Sequence, residues 1–275
     1  MQLMNNVINS AKDLRPAINL IEVECPIICT ANAVLSDHEK NNGCLLIDFG
    51  AGCTSFVLYE NGEPIKKNAN RLGGDLVTKD ITDLQLPFKI AEILKKKFGN
   101  ALASTETPEK IIELSKKTDN GKVSSIRSGQ LAYIIEARVR ETVDVLLNYL
   151  LSLNWFNKGI EKRSIVITGG ASKLTNLDTL ISEKTKVSVR IANAGNKIAN
   201  AKYFPTMQDA RYSALCGMLI CATEECKIAN EVIVKEKSKK SSLKSAIKKI
   251  EQGFDNLFSG KNESFNETQE NNTDK

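Results

Sequence analysis

Apolar and polar positions fall into short blocks, and the two densest blocks are separated by one turn. Leu45-Leu46-Ile47 runs into Asp48, crosses Gly50, Ala51 and Gly52, and resumes as Phe56-Val57-Leu58-Tyr59. The Val, Phe and Tyr content suits a pleated sheet, so a strand, a tight glycine turn and a second strand are expected. Glu60-Asn61-Gly62-Glu63 signals a further turn into a third strand at Pro64 to Ala69, which completes a meander. Upstream, Leu3, Val7, Ile8 and Ala11 share one side of a helix, Ala17 to Val23 reads as a strand, and Pro26 suits the start of a helix ending at Leu35.

Downstream, Gly73-Gly74 precedes Asp75 and the helical spacing of Leu76, Val77 and Ile81, with Asp75 expected at the N-cap. A helix from Pro87 to Phe98 is expected to bury Phe88, Ile90, Ala91, Ile93, Leu94 and Phe98 and to leave its lysines largely outside. Thr118-Asp119-Asn120-Gly121 marks a hairpin between Glu109 to Ser115 and Lys122 to Ile126. Ser128-Gly129-Gln130 is expected to cap the strongest helix, Leu131 to Leu151, whose Ile134, Ile135, Val139, Val143, Leu146, Leu147 and Leu150 recur at three and four. The apolar run Ile165-Val166-Ile167 leads into Thr168-Gly169-Gly170, then a helix from Thr175 to Lys184, a strand from Val187 to Ile191 and a small-residue helix from Asp209 to Cys221.

Composition adds bounds to this outline. A chain of 275 residues, 41% hydrophobic, is long enough for one large globular domain or two ordinary ones. No run of about 18 apolar residues occurs, so no spanning helix is expected. The seven Cys are odd in number and match neither a zinc site nor a disulfide framework; with no signal-peptide pattern at the start, a reducing compartment is expected. The net charge of +5 is concentrated: Lys235 to Lys261 holds eight Lys against Glu236, Glu251 and Asp255. The rest is nearly balanced, which gives nucleic acid no broad basic face.

Three glycine motifs carry candidate chemistry. In the turn of Asp48, Gly50, Gly52 and Thr54, small residues leave backbone N–H groups free to cradle an anion, and Asp48 would face Mg2+, most often through water. A plain glycine turn is the alternative for that motif taken alone. Gly73 and Gly74 would let backbone approach a ligand, and the strand, diglycine and helix at Gly169-Gly170 make a second such place.

The order of these pieces is more specific than any one of them: strand, DxGxGxT, meander, GGD, helix, LPF-x2-AE-x2-KKKFG, LAYIIEARV, strand, TGGAS. It resembles the second half of the actin, Hsp70 and sugar-kinase superfamily, and the wording between the motifs is similar to the FtsA family of bacterial actin-like cell-division proteins. Asp48 to Thr54, Gly73 to Ile81, Leu86 to Gly99, Leu131 to Val139 and Ile167 to Ser172 carry the match, which spans roughly Asn5 to Ala222. The resemblance implies an α/β fold: an actin-like (ribonuclease H-like) ATPase lobe with a small inserted α+β subdomain, plus a C-terminal amphipathic helix. It implies ATP and Mg2+ as cofactors, with Asp48, Gly50, Gly52 and Thr54 as the phosphate and magnesium loop and Gly169, Gly170 and Ser172 as the adenosine loop. Gly73, Gly74 and Lys95 would be further contacts. The loop departs from the family at Ala51, Cys53 and Ser55, where Gly, Thr and Asp are usual.

The implied layout is a remnant of the first lobe and a linking helix at 1–40, the second lobe at 41–81 and 131–222, the inserted subdomain at 82–130, and a linker at 223–242. The amphipathic helix at 243–258 and a polar tail at 259–275 would follow. The first lobe is otherwise missing, so the chain reads as a C-terminal half of a two-lobed clamp. In the tail, Leu243, Ala246, Ile247, Ile250, Phe254, Leu257 and Phe258 fall within an arc of roughly 120° at about 100° per residue, with Lys244 and Lys248 opposite. Leu243, Lys244, Ile247, Lys248, Ile250, Phe254, Leu257 and Phe258 would bind anionic inner-membrane lipids, each Lys contributing about 1 kcal/mol.

The function implied is an adaptor, at most a weak ATPase, that holds FtsZ, self-associates as an actin-like polymer, meets other division proteins and sits on the cytoplasmic face of the membrane at the septum. A sugar kinase or chaperone-type ATPase of the same superfamily, and a split-gene product without activity, are the alternatives.

Overall fold

The computed structural model describes residues 25–106, 108–114, 125–155, 163–195, 197–198 and 205–225. The expected elements before residue 25, the 118–121 turn and the 243–258 helix lie outside them.

Strand β1 (Cys44–Phe49) sits at the middle of a five-stranded sheet. Its Cys44, Leu45, Leu46 and Ile47 are all buried, so it needs a neighbour on each edge and cover on each face. β2 (Thr54–Glu60) and β3 (Glu63–Asn70) supply the meander on one side, and β6 (Ser164–Thr168) and β7 (Val189–Ile191) run parallel on the other. The order is β3-β2-β1-β6-β7. β3 is exposed along most of its length, and its Pro64, Lys66 and Lys67, with a register shift at Leu58/Tyr59, suit an unpaired edge.

Alternate residues serve alternate faces. Leu46, Val57 and Val166 pack on α1 (Pro26–Val34) and α7 (Ser213–Glu225), with Ile27, Ala31 and Cys216 in the same cluster. α1 and α7 cross closely at Gly217, where a methyl group would stand 2.1 Å from the Cys29 carbonyl oxygen. α2 (Asp37–Asn42), started by a reciprocal Ser36–Glu39 capping box, leads from α1 into β1. On the opposite face Leu45, Ile47, Phe56, Ile165 and Ile167 meet α3 (Gly74–Thr82), α5 (Ser128–Ser152) and α6 (Leu177–Thr185) through Val77, Ile81, Val139, Val143 and Ile181.

Two further elements stand apart from the sheet: α4 (Phe88–Phe98) and the antiparallel pair β4 (Ile111–Glu113) and β5 (Ser125–Arg127). Helix α4 corrects one expectation. Only Ala91, Leu94 and Lys95 are buried, whereas Phe88, Ile90, Ile93 and Phe98 are exposed. Apolar residues occupy both sides of this helix, so periodicity did not identify the narrow i, i+3, i+4 stripe that packs. Two caps also differ. Gly73, not Asp75, is the N-cap of α3, and Ser128 is the first residue of α5, where its hydroxyl accepts the Lys110 N–H at 2.9 Å. The expected helix from Asp209 starts as a 3-10 turn, Ala210–Tyr212, before α7.

Candidate functional site

β1 and β6 are parallel neighbours with Asp48 opposite Thr168, so the loops that follow them leave the sheet side by side. The carboxyl ends of adjacent parallel strands are where open α/β sheets place ligands.

The loop after β1 is shaped by glycines. Gly50 N–H donates to the Cys53 carbonyl at 3.0 Å, closing the turn. The start of α3 docks on its back: Gly74 N–H donates to Gly50 O at 2.9 Å and Asp75 N–H to Ala51 O at 2.8 Å. Gly73 makes this possible, since a methyl group there would lie 2.2 Å from Ala51 O. Thr54 is buried and its hydroxyl donates to Leu72 O at 2.7 Å, so only its backbone faces the loop. Gly52 is exposed, with no atom of the described residues within 4 Å of a would-be methyl, and stands at the open rim.

The turn after β6 is built to lie against Asp48. Gly169 has φ +90°, and a methyl on it would be 2.3 Å from Asp48 Oδ1 and 2.5 Å from Phe49 O. Ser172 is buried and its hydroxyl donates to Gly169 O at 2.8 Å, which holds the 3-10 turn Gly170–Lys173 in shape. Thr168 ties the strand end to its surroundings by donating to Ala192 O and bonding Ser213 Oγ, both at 2.8 Å. Gly170 is exposed.

Burial pushes the Asp48 carboxyl above the usual carboxylate range, and no hydrogen bond or ion pair to it occurs among the described residues. A half-buried anion without a protein partner suits a cation. No group of three or more metal-ligating side chains surrounds it among the described residues, so a divalent ion held there would keep water and ligand oxygens in its shell.

Lys95 has a different environment from the one expected of a ligand contact. It is buried on α4, its ammonium donating to Gly74 O at 2.9 Å and Thr78 Oγ1 at 2.7 Å and pairing with Glu92 at 2.6 Å. An ammonium has three N–H donors, and here all three are taken. Lys95 thus supports Gly74, and through it the loop after β1, from behind. Burial alone would raise the Glu92 pKa, but hydrogen bonds from Lys95 and Thr78 outweigh it and bring it below the usual range.

One part of the site was missed from the sequence. The segment before α7 folds over the diglycine turn, with Gly169 N–H donating to Ala210 O at 3.2 Å. Asp209 pairs with Lys173 at 2.6 Å and with Arg211 at 3.0 Å. Burial works to raise the Asp209 pKa, but these hydrogen bonds hold it at about 2. The only local signal was an Asp ahead of a small-residue helix, which reads as a cap, and Asp209 does accept the Arg211 N–H at 3.0 Å.

Comparisons with known proteins bear on the family and the fold of the chain. The family profile described as Cell division protein FtsA matches residues 45–217. The cell division protein FtsA of Bacillus subtilis is 28% identical over 222 residues, 80% of this chain and 47% of that protein. That of Neisseria meningitidis serogroup B is 34% identical over 151 residues, 54% of this chain and 36% of that protein. The chain therefore spans about half or less of the length of the curated relatives it matches. Among solved structures, MreB5 of Spiroplasma citri bound to ADP superposes with a TM-score of 0.61 at 17% identity, covering 81% of this chain and 64% of that one. A PilM-PilN type IV pilus biogenesis complex gives 0.59 at 19% identity, covering 79% and 58%. These likenesses establish the fold, that of the actin-like ATPases.

Proposed function

We propose, because this chain belongs to the FtsA family of cell division proteins, that its actin-like lobe takes ATP with Mg2+ and that it works as an adaptor tethering the FtsZ ring to the cytoplasmic face of the membrane. The observation that carries the nucleotide part is the contact of Gly169 with Asp48, with the diglycine turn and the loop of Gly50 and Gly52 side by side at the carboxyl ends of β6 and β1. Bound ATP and Mg2+ would supply the charge and the hydrolysable bond that set the adaptor's state. Asp48 would hold the ion through water, the open backbone at Gly52 would face the phosphates with Gly50 and Thr54 shaping that loop, and Gly170 would lie along the adenosine with Gly169 and Ser172 fixing its turn. Gly73, Gly74 and Lys95 hold the phosphate loop in place.

The membrane arm is residues 243–258, whose apolar arc and opposing Lys244 and Lys248 favour an anionic lipid surface. Family membership supports FtsZ, further division proteins and a second copy of this chain as partners. No helix among the described residues is long and apolar enough to cross a membrane, which fits attachment by such an arm.

One sedimentation experiment tests both parts. The full chain is spun with anionic vesicles and labelled ATP, with and without Mg2+. Protein and nucleotide are expected together in the pellet, the nucleotide only when Mg2+ is present, and deletion of 243–258 is expected to leave both in the supernatant. A nucleotide-free pellet overturns the ATP reading; a deletion variant that still sediments overturns the membrane arm.

A further inference from the structure

We propose that Arg211 is a specificity-determining residue for the base end of the nucleotide, stacking its guanidinium on the ring. The inference rests on the nucleotide reading above and adds a residue from outside its motifs.

The stem of Arg211 lies along the diglycine turn: a methyl group on Gly170 would stand 3.4 Å from its Cγ and 4.0 Å from its Cδ. The guanidinium is fixed by Asp209 at 3.0 Å, yet 40% of the side chain stays exposed. Its Cζ is 5.5 Å from the centre of the Tyr212 ring. Asp209 also fixes Lys173, so one carboxylate orients two cations next to Gly170 and leaves one positive charge uncompensated. The Gly169 N–H to Ala210 O bond joins this segment to the turn as one piece.

Position decides what this cation meets. Along the turn, Gly169 abuts the Asp48 carboxylate and the next residue, Gly170, abuts Arg211. A ligand laid across the two glycines with its metal and phosphates at Asp48 presents its other end to Arg211. That end is a flat aromatic ring. A planar guanidinium held along one edge by a carboxylate keeps the face turned away from Tyr212 for such a ring, which an ammonium cannot match.

The test compares Mg-ATP with Mg-tripolyphosphate, a ligand that has the phosphates and no base, in equilibrium binding to the full chain. Arg211→Ala and Arg211→Lys are both expected to weaken ATP about tenfold, or about 1.4 kcal/mol, and to leave tripolyphosphate within about twofold, with unchanged unfolding temperature. Equal weakening of both ligands, or full rescue by lysine, assigns the residue to phosphate charge and overturns the proposal. Unchanged ATP binding by both variants overturns it while leaving the nucleotide reading standing. A wild-type chain that binds neither ligand overturns both.

Discussion

The glycines of the three motifs around Asp48, Gly52 in the first loop, Gly73 ahead of α3 and Gly169-Gly170 after β6, come from similar sequence and do unlike work. Gly73 and Gly169 are packed against backbone: a methyl group would meet Ala51 O at 2.2 Å and Phe49 O at 2.5 Å. Gly52 and Gly170 face outward, one with no atom of the described residues within 4 Å and the other 3.4 Å from a flexible arginine stem. The inner glycines are there so that loops can touch each other. The outer ones leave backbone open to a ligand. A motif written with repeated glycine therefore mixes two roles, and only the packing separates them.

The largest effect that would test this division is on stability. Gly73→Ala and Gly169→Ala should each cost about 3 kcal/mol in denaturant unfolding, Gly73 from collision with backbone and Gly169 from collision plus a φ of +90° that L-residues rarely adopt. A cost below about 1 kcal/mol for both would mean the loops are not held as described.

An intermediate effect falls on the acid against which Gly169 packs. Burial lifts the folded-state pKa of Asp48. For a raised carboxyl the favourable contribution is present below the unfolded pKa of about 3.9 and is lost as pH rises through the folded value. Asp48→Asn should then unfold at a higher temperature than the parent at pH 7 to 8, with the gain fading as pH falls toward about 4, while Mg2+-dependent ATP binding is lost. A variant less stable at neutral pH would show that Asp48 is a structural anion with a partner.

The smallest effect belongs to the outer glycines. Gly52→Ala and Gly170→Ala should change stability by less than about 0.5 kcal/mol and act on nucleotide affinity instead, read by titration with Mg-ATP. A large loss of stability in either would place it with the inner pair.

How legible all this was differs by element. The meander was readable because Leu45 to Ile47 and Phe56 to Tyr59 are apolar throughout and Asn61-Gly62 fits a tight turn; the strands formed as expected at Cys44–Phe49, Thr54–Glu60 and Glu63–Asn70. The long helix was readable for the same kind of reason, with Leu131, Ile135, Val139, Val143, Leu146 and Leu150 buried on one side. Helix α4 was readable as a helix and misread in its facing, because Phe88, Ile90 and Ile93 are as apolar as Ala91 and Leu94 but lie away from the packed stripe. Lys95 is the converse case: the family resemblance implied a ligand contact there, whereas a carbonyl, a hydroxyl and a carboxylate already surround it.

By itself the sequence determined the local elements, their order, and the sites where backbone had to be bare, since strand and helix periodicity and the lack of a side chain on glycine are properties of neighbouring residues. The tertiary structure decided which loops meet, which glycine touches backbone and which faces out, and that Asp209 and Arg211 join a turn some forty residues earlier in the chain. Those facts depend on β1 pairing with β6 and on the segment before α7 folding back over the end of β6, contacts between residues far apart in the chain that no local pattern encodes.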